Sequence, residues 1–244
     1  MRLNLNERFA NLMCCNSVAA WRDLIFKLGN DLGYEQTVLA IFPDRNTPVE
    51  VEYAFLQHNY PNAWLNRYDA QKLSQIDPTV THCADKSIPL IWLPEIFSTQ
   101  RQKEMYEEAC SYGLRSGVTL PIHGARGEMG ILSFVSDTKP DKRFQREAHG
   151  MLPELSYFRD FIFETSLRFM KPSELPEKLP HVTRSELECL KWCAAGKSSG
   201  DIAQILNCSV DAVDFHFRNM RRKFGVSTRQ QVLVKAIRFG LINS

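Results

Sequence analysis

The sequence predicts an α+β fold in two parts, an N-terminal α/β/α sandwich with an antiparallel sheet and a smaller all-α C-terminal domain. Helical patterns stand before and after a group of strands in the first 170 residues. From Pro176 onward, eleven Lys and Arg face six Asp and Glu, a net charge of +5. The first 175 residues contain nineteen Lys and Arg and twenty-two Asp and Glu, a net charge of −3. This asymmetry indicates a basic module joined to a different one.

Apolar residues in the first part follow helical and then strand spacings. The first helical pattern stops at Gly33 and comprises Trp21, Leu24, Ile25, Leu28 and Leu32. Strands are predicted in "QTVLAIF" and "VEYAFLQH", a helix in "EIFSTQRQKEMYEEACSYGL", a hairpin of "GVTLPIH" and "GEMGILSFV" around "GARG", and a long helical region in "FQREAHGMLPELSYFRDFIFETSLRFM". Helices on both sides of antiparallel strands are the parts of a sandwich.

Composition limits the class of protein and its compartment. No apolar run reaches the roughly 18 residues of a membrane span, and "MRLNLNERFANLM" lacks the apolar core of a secretory signal. We therefore expect a cytoplasmic protein without membrane contact. Seven cysteines without a C-x-x-C pair predict neither a disulfide framework nor a zinc site, and no metal or cofactor is expected. Three prolines in "MKPSELPEKLPHVT" predict a linker, so the expected divisions are 1–170, a linker at 171–182, and 183–244.

The C-terminal part contains three short helical patterns in series. Thr183 and Glu186 form a capping box before the first. The second, "SSGDIAQILN", places Ile202, Ile205 and Leu206 on its inner side. The third, "SVDAVDFHFRNMRRKFG", is predicted to bury Val213, Phe217, Met220 and Phe224. Two short helices joined by about four residues form a helix-turn-helix pattern, whose second helix can enter the major groove of double-stranded DNA.

Cations near the end of this pattern are candidates for contact with DNA. A charge run such as "RNMRRK" is often only a solvated face. Contact with phosphates is favoured here because a lysine and two serines precede the second helix. The predicted DNA-contacting residues are Lys197, Ser198, Ser199, Asp211, Asp214, His216, Arg218, Asn219, Arg221, Arg222 and Lys223.

The run "VTRSELECLKWCAAGKSSGDIAQILNCSVDAVDFHFRNMRRKFGV" resembles the DNA-binding module of LuxR-type transcription factors. Residues in register with the motif of that family include Glu186, Leu190, Gly196, Val213 and His216. The sequence departs from it at Ser185, where Glu or Gln is usual, and at Ala212, where Thr is usual. Both phosphorylated response regulators and acyl-homoserine lactone receptors carry this module, so the first 170 residues must distinguish them.

A phospho-receiver would carry an acidic pair after its first strand and an acceptor Asp near residue 50, and residues 1–60 have neither. Instead, "NYPNAWLNRY", "DPTV", "HC" and "GLRSGVTLPIHGARGEMGILSF" resemble the ligand-binding domain of acyl-homoserine lactone receptors, closest to the LasR-like branch. The two resemblances cover most of the chain. They imply an N-acyl-homoserine lactone of medium to long chain. A 3-oxo substituent is left open because Leu65 stands where that branch often has Arg.

The residue chemistry fits such a ligand, a fatty tail that ends in an amide and a ring ester. Its host needs an apolar tunnel with a few fixed polar groups. Asp77 can accept from the amide N–H, while Tyr60 and Trp64 can donate to carbonyl groups. By resemblance, Trp64 meets the lactone carbonyl, and Tyr60 and Ser133 meet the amide carbonyl. The predicted ligand contacts are Tyr60, Trp64, Tyr68, Asp77, Thr79, Val80, Trp92, Leu114, Thr119 and Ser133. Taken singly, the aromatic residues fit a core, and Asp77-Pro78 fits a turn or a helix cap.

Together these features predict a quorum-sensing transcriptional regulator. We expect it to fold around its lactone, to form a homodimer through residues 145–170, and to bind a palindromic promoter site as an activator of RNA polymerase. A regulator that responds to redox change or phosphorylation, and a LuxR-type repressor, remain alternatives. An enzyme is not expected because no H-x-H-x-D-H or G-x-S-x-G motif occurs. His82 and Cys83, if neighbours in a strand, would point to opposite faces.

Overall fold

The computed structural model describes residues 5–171 and 179–242, with side chains from Phe9 onward. The chain forms two compact units, Met1–Pro176 and Glu177–Ser244. Most of the linker expected at 171–182 lies outside the described residues, which omit 172–178. Within the described ranges, no helix combines the length and the apolar character that crossing a membrane requires.

The first unit combines helices with one sheet. Its described helices are α1 (Leu5–Cys14), α2 (Val18–Asp31), α3 (Asn62–Ala70), α4 (Pro78–Asp85), α5 (Gln100–Ser111) and α6 (Lys142–Ser166). Its described strands are β1 (Gln36–Phe42), β2 (Phe55–His58), β3 (Leu90–Ile91), β4 (Ser116–His123) and β5 (Met129–Ser136). The strands form one antiparallel sheet in the order β2-β1-β5-β4-β3.

The sheet buries a different set of side chains on each face. One face places Leu39, Leu132 and Phe134 in a large core that includes residues of α1, α2 and α6. The indole Nε1 of Trp21 in α2 donates to Thr165 Oγ1 of α6 at 2.9 Å, which joins two helices of this layer. The other face meets an aromatic cluster supplied largely by α3, α5 and the loops around them. The predicted α/β/α sandwich with an antiparallel sheet is thus confirmed.

Three local predictions for the first unit differ from the structure. The segment predicted as one strand, "VEYAFLQH", begins with a 3-10 helix at Val51–Tyr53 and is a strand only over Phe55–His58. His82 and Cys83 lie in α4, not in a strand, because Asp77 caps that helix and Pro78 occupies its first turn. Helix α1 was not predicted, although Leu5, Phe9 and Leu12 follow the i, i+4, i+7 spacing of an amphipathic helix.

The second unit contains α7 (Arg184–Ala194), α8 (Ser199–Ile205), α9 (Val210–Phe224) and α10 (Arg229–Arg238) among its described residues. The capping box of Thr183 and Glu186 and the four buried residues predicted for α9 are all present. The predicted inward position of Ile205 is wrong, because this residue is 43% exposed while Ile202 is fully buried. Helix α8 ends at Ile205, so that side chain lies past the turn that meets the core. Helices α8 and α9 confirm the helix-turn-helix, whereas α10 was not predicted.

Candidate functional site

A deep cavity lies in the first unit against the sheet face that meets α3 and α5. The space between its walls and its open mouth is about 940 Å³, which includes solvent at the mouth. Nine of the ten predicted ligand-contacting residues line it, namely Tyr60, Trp64, Tyr68, Asp77, Thr79, Val80, Trp92, Leu114 and Ser133. Most of the remaining wall is apolar, so the cavity suits a largely apolar guest that carries a few polar groups.

Asp77 provides the acidic group of this cavity and also begins a helix. Its Oδ1 accepts from Thr79 N and Thr79 Oγ1, both at 2.8 Å, which caps α4. Its Oδ2 accepts from Tyr68 Oη at 2.9 Å. Burial raises the pKa of the Asp77 carboxyl, and the hydrogen bonds from Thr79 and Tyr68 oppose this rise only in part. The helix-cap alternative and the position in the cavity wall are therefore both correct for Asp77.

Tyr60 carries a buried hydroxyl with no hydrogen-bond partner among the described residues. The residue is 8% exposed and lines the same cavity as Asp77. Burial, and secondarily the Asp77 charge, raise the pKa of Tyr60 well above its usual value, so the hydroxyl keeps its proton. A buried unpaired hydroxyl costs about 1–3 kcal/mol. Tyr60 is thus a donor available to a guest in the cavity.

Thr119 does not line the cavity, which corrects its predicted place in the wall. It is fully buried between two residues that do. Trp92 Nε1 donates to Thr119 Oγ1 at 2.7 Å, and Thr119 Oγ1 lies 2.8 Å from Ser133 Oγ. When the Thr119 proton is directed to Ser133, the Ser133 proton is free to point into the cavity. Thr119 therefore contacts the Ser133 hydroxyl of the cavity wall from the neighbouring strand.

Sequence patterns missed part of the wall. Strand alternation, which was available in the sequence, indicates that Val38, Ala40 and Phe42 share one face of β1. The segment 49–54, part of which was predicted as a strand, closes one side of the cavity. It is tied to α3 by Asp69 Oδ1, which accepts from Val51 N at 3.2 Å. Further lining residues not predicted are Val49, Glu50, Ala54, Leu56, Leu65, Phe97, Met105, Tyr106, Ala109 and Ile131.

The second unit presents most of its predicted DNA-contacting residues near α8 and α9. Lys197, Ser198, Asp211, Asp214, Arg218 and Arg222 are exposed, while Ser199, His216, Asn219, Arg221 and Lys223 are partly buried. The Ser198 hydroxyl is already used in a local hydrogen bond, because it forms the capping box of α8 with Asp201. Ser199 Oγ donates to Asp214 Oδ1 at 2.9 Å, which joins the two helices of the helix-turn-helix.

Lys223 differs from the other predicted cations because it is committed to an internal ion pair. Its Nζ donates to both oxygens of Glu186, at 2.9 Å and 2.7 Å. The Glu186 side chain is 3% exposed and that of Lys223 is 28% exposed. Burial alone would raise the pKa of Glu186, but the hydrogen bonds from Lys223 and Thr183 outweigh it, and the net pKa is lowered. Lys223 thus joins α9 to α7 and is not a free cation for DNA.

Arg229 at the start of α10 was missed by the sequence analysis. Its guanidinium carbon lies 3.9 Å from the centre of the Phe217 ring. Its Nη1 donates to Ser199 Oγ at 2.9 Å, and its Nε donates to Cys193 Sγ at 3.1 Å. Stacking on an aromatic ring combined with directed donation is a common use of arginine. Arg229 therefore holds the start of α8 and the inner side of α9 together.

Comparison with known proteins assigns both units. The profile of the "Autoinducer binding domain" family matches residues 17–166, and that of "Bacterial regulatory proteins, luxR family" matches residues 181–236. The transcriptional activator VanR of Vibrio anguillarum is 37% identical over 189 residues, which is 76% of this chain and 76% of VanR. The chain therefore belongs to the LuxR family.

Other relatives agree with this assignment. The transcriptional activator AhyR of Aeromonas hydrophila is 32% identical over 223 residues, 89% of this chain and 83% of AhyR. The structure of SdiA in complex with octanoyl-rac-glycerol has a TM-score of 0.74 over 100% of both chains at 22% identity, which shows a shared fold. As a LuxR-family protein, the chain is a transcriptional regulator with an autoinducer-binding domain and a DNA-binding helix-turn-helix. Its closeness to the LasR-like branch stays a prediction.

Three tyrosines allow a test of the unpaired hydroxyl in the cavity. Tyr60→Phe removes a buried hydroxyl without a partner, so we expect the free energy of unfolding of the ligand-free full chain to rise by up to about 1 kcal/mol. Tyr34→Phe should behave alike, since its buried hydroxyl is also unpaired among the described residues. Tyr68→Phe should instead lose about 1–2 kcal/mol, because it removes a donor to Asp77. Denaturant unfolding measures all three; a loss for Tyr60→Phe equal to that for Tyr68→Phe would contradict the assignment.

The Glu186–Lys223 pair predicts a pH-dependent contribution to stability. Because the folded-state pKa of Glu186 is lowered, this contribution is present above the unfolded-state value of about 4.3 and is lost as pH falls through the folded value. Glu186→Gln should lower the free energy of unfolding by about 2 kcal/mol at neutral pH, and this difference should shrink in acid.

The control for this pair is Glu188→Gln, which removes an exposed ion pair with Lys191 on α7 and should cost under about 0.5 kcal/mol. Calorimetric unfolding of the full chain at neutral and acidic pH provides the comparison. Equal losses in the Glu186 and Glu188 variants, or a Glu186 difference independent of pH, would show that the buried pair is not a stabilising contact.

Proposed function

We propose that the cavity binds an N-acyl-homoserine lactone. The observation that carries this proposal is one buried acceptor and one unpaired donor in a largely apolar wall. Asp77 retains acceptor capacity at Oδ2, which has two lone-pair sites and accepts from Tyr68. Both Thr79 donors lie on Oδ1, and the Val80 backbone also interacts with the carboxylate. Tyr60 Oη offers a proton and has no partner among the described residues. A secondary amide satisfies both, since its N–H faces an acceptor and its carbonyl faces a donor.

The other polar wall groups extend this match to the lactone ring. The indole of Trp64 is a donor in the cavity wall, suited to the ring carbonyl, and Ser133 can add a second donor to the amide carbonyl. The acyl tail would lie along the apolar strand residues Val38, Ala40 and Leu56. This extended apolar wall supports the proposal of a medium to long chain. Leu65 gives the wall no polar group for a 3-oxo substituent, so that preference has no support at this position.

Binding would regulate the protein through linkage to folding. A ligand that binds only the folded state stabilises it by about 2.7 kcal/mol at 100 times its dissociation constant. Without ligand, the folded state contains a desolvated carboxyl and an unpaired hydroxyl. Both lower its free energy of unfolding relative to the ligand-bound state. Ligand binding would therefore raise the concentration of folded regulator that is available to bind the promoter.

The folded regulator would act as a homodimer on DNA. The expected dimer surface, residues 145–170, includes most of helix α6. This helix carries the exposed Tyr157 in edge contact with Phe9 of α1 and with Phe161. A two-fold pair of helix-turn-helix units would match a palindromic promoter site with half-sites one DNA turn apart. We propose residues 1–170 as the ligand-binding and dimerisation domain and 183–244 as the DNA-binding domain. Activation would follow from contact with RNA polymerase.

Ligand-dependent stabilisation tests the cavity assignment. The full chain is incubated with N-acyl-homoserine lactones of graded chain length, unsubstituted and 3-oxo, and with octanoyl-rac-glycerol, which the SdiA structure contains. We expect the lactones to raise the thermal unfolding midpoint, and mass spectrometry to recover the lactone from protein expressed with it. Asp77→Ala and Tyr60→Phe should lose most of this rise, because each removes one amide contact.

Tyr34→Phe is the matched control for these variants, since it removes a buried unpaired hydroxyl that does not line the cavity. It should keep the full ligand-dependent rise. If the Asp77 and Tyr60 variants responded to lactones as the wild type does, the amide contacts proposed here would be wrong. Stabilisation by octanoyl-rac-glycerol alone would reject the lactone and retain the cavity.

Contact of α9 with phosphates is tested on DNA of random sequence, which needs no knowledge of the promoter. Arg222 is exposed near the C-terminal end of α9, where a groove-bound helix approaches the backbone. Arg222→Ala should weaken binding and reduce the slope of log affinity against log salt by about one. Lys191→Ala, an equal charge change on α7, should leave the slope unchanged. Fluorescence anisotropy at several salt concentrations measures it, and identical slopes for both variants would exclude Arg222 from the contact.

A further inference from the structure

Phe215 is an aromatic residue on the surface of the second unit, with 53% of its area exposed. Among the exposed large apolar residues within 179–242, it is the one with an aromatic ring. Burying such a side chain is worth roughly 1.5–3 kcal/mol, so leaving it in water forgoes a substantial gain. Isolated exposed apolar residues are common. The position of this one on α9 gives it a specific consequence.

The ring projects directly away from the core of its own unit. Helix α9 buries Val213, Phe217, Met220 and Phe224 along one side. With 3.6 residues per turn, the opposite side of the helix carries Asp211, Phe215, Arg218 and Arg222, all of them exposed. The neighbouring His216 ring meets Phe215 edge-on, with centroids 6.1 Å apart and an interplanar angle of 63°. The outermost line of α9 is therefore one apolar ring beside two arginines and one aspartate.

The surroundings of the ring favour an anionic partner with a small apolar group. A protein partner docking on an apolar patch would need neighbouring apolar residues, whereas Phe215 is followed on its face by Arg218 and Arg222. The major groove of DNA combines flanking phosphates with one apolar group on its floor, the 5-methyl of thymine, which phenylalanine is known to contact. The residue also lies in the first half of α9, the part of a reading helix that reaches base edges.

We propose that Phe215 contacts the 5-methyl group of a thymine in each half-site and so determines the base at that position. This inference rests on the proposed entry of α9 into the major groove. Asp214 is not an equivalent reader, because its carboxylate already accepts from Ser199. Loss of one buried methyl group corresponds to about a fourfold change in affinity.

The test begins with selection of duplexes from a random library by the full chain, with and without N-decanoyl-homoserine lactone as a probe ligand. Each thymine of the enriched half-site is then replaced by deoxyuridine, which removes only the methyl group. We expect one thymine at which deoxyuridine weakens wild-type binding about fourfold. 5-Methylcytosine in place of cytosine at that position should recover part of the affinity. This methyl effect is measured with the wild-type protein and requires no variant.

The Phe215→Ala variant, measured on the same two duplexes, gives a double-mutant cycle between the ring and the methyl group. It should bind the thymine duplex about fourfold more weakly than the wild type and show no difference between thymine and deoxyuridine at that position. Val234→Ala, at a residue of α10 that is 65% exposed, is the matched control and should keep the methyl effect. Unchanged thermal unfolding of both variants verifies that only the surface has changed.

The outcomes separate this inference from the proposed function. No enriched sequence, or an Arg222→Ala salt slope equal to that of the wild type, would overturn entry of α9 into DNA and this inference with it. An enriched site that responds to Arg222→Ala but shows no thymine sensitive to its methyl group would overturn the role of Phe215 alone. A methyl effect that persists in Phe215→Ala would assign the thymine to another residue.

Discussion

The buried carboxylate of Asp77 is the constraint on which the cavity depends. It caps α4, so the local helix start and the polar end of the cavity are fixed by one side chain. Burial raises its pKa, which means that the unfilled site favours the neutral acid more than water does. A guest N–H donated to this group favours the charged form. Binding of such a guest and the ionisation of Asp77 are therefore coupled, and each strengthens the other.

The cavity exists because the two faces of one sheet carry side chains of different size. Leu39, Leu132 and Phe134 fill the face that packs against α2 and α6. On the opposite face, Ala40 and Ser133 leave space that the helices do not fill. Since successive strand residues alternate between faces, a single stretch of β1 or β5 specifies both a close-packed core and a hollow. The hollow is stable because the core on the other face supports it.

The sequence predicted the parts of the fold that local patterns specify, and missed those that depend on distant contacts. A capping box located α7, an apolar period located α9, and the order of Tyr60, Trp64 and Asp77 located the cavity. Thr119 lies on the same sheet face as its cross-strand partner Ser133, but it accepts from Trp92 and does not line the cavity, which spacing alone does not reveal. Lys223 looked like one cation in a run, yet its partner Glu186 stands 37 residues earlier in the chain.

The second unit separates the residues that hold α9 from those that meet a partner. Lys223 of α9 pairs with Glu186 of α7. Arg229 of α10 stacks on Phe217 of α9 and donates to Ser199 of α8, which in turn donates to Asp214 of α9. These contacts use charged groups that a count of basic residues would assign to DNA. Among the described contacts, the outermost side chains of α9, such as Phe215, Arg218 and Arg222, make no such contact with another helix. In the proposed complex with DNA, base choice would depend on the few projecting side chains of a helix that these contacts hold in place.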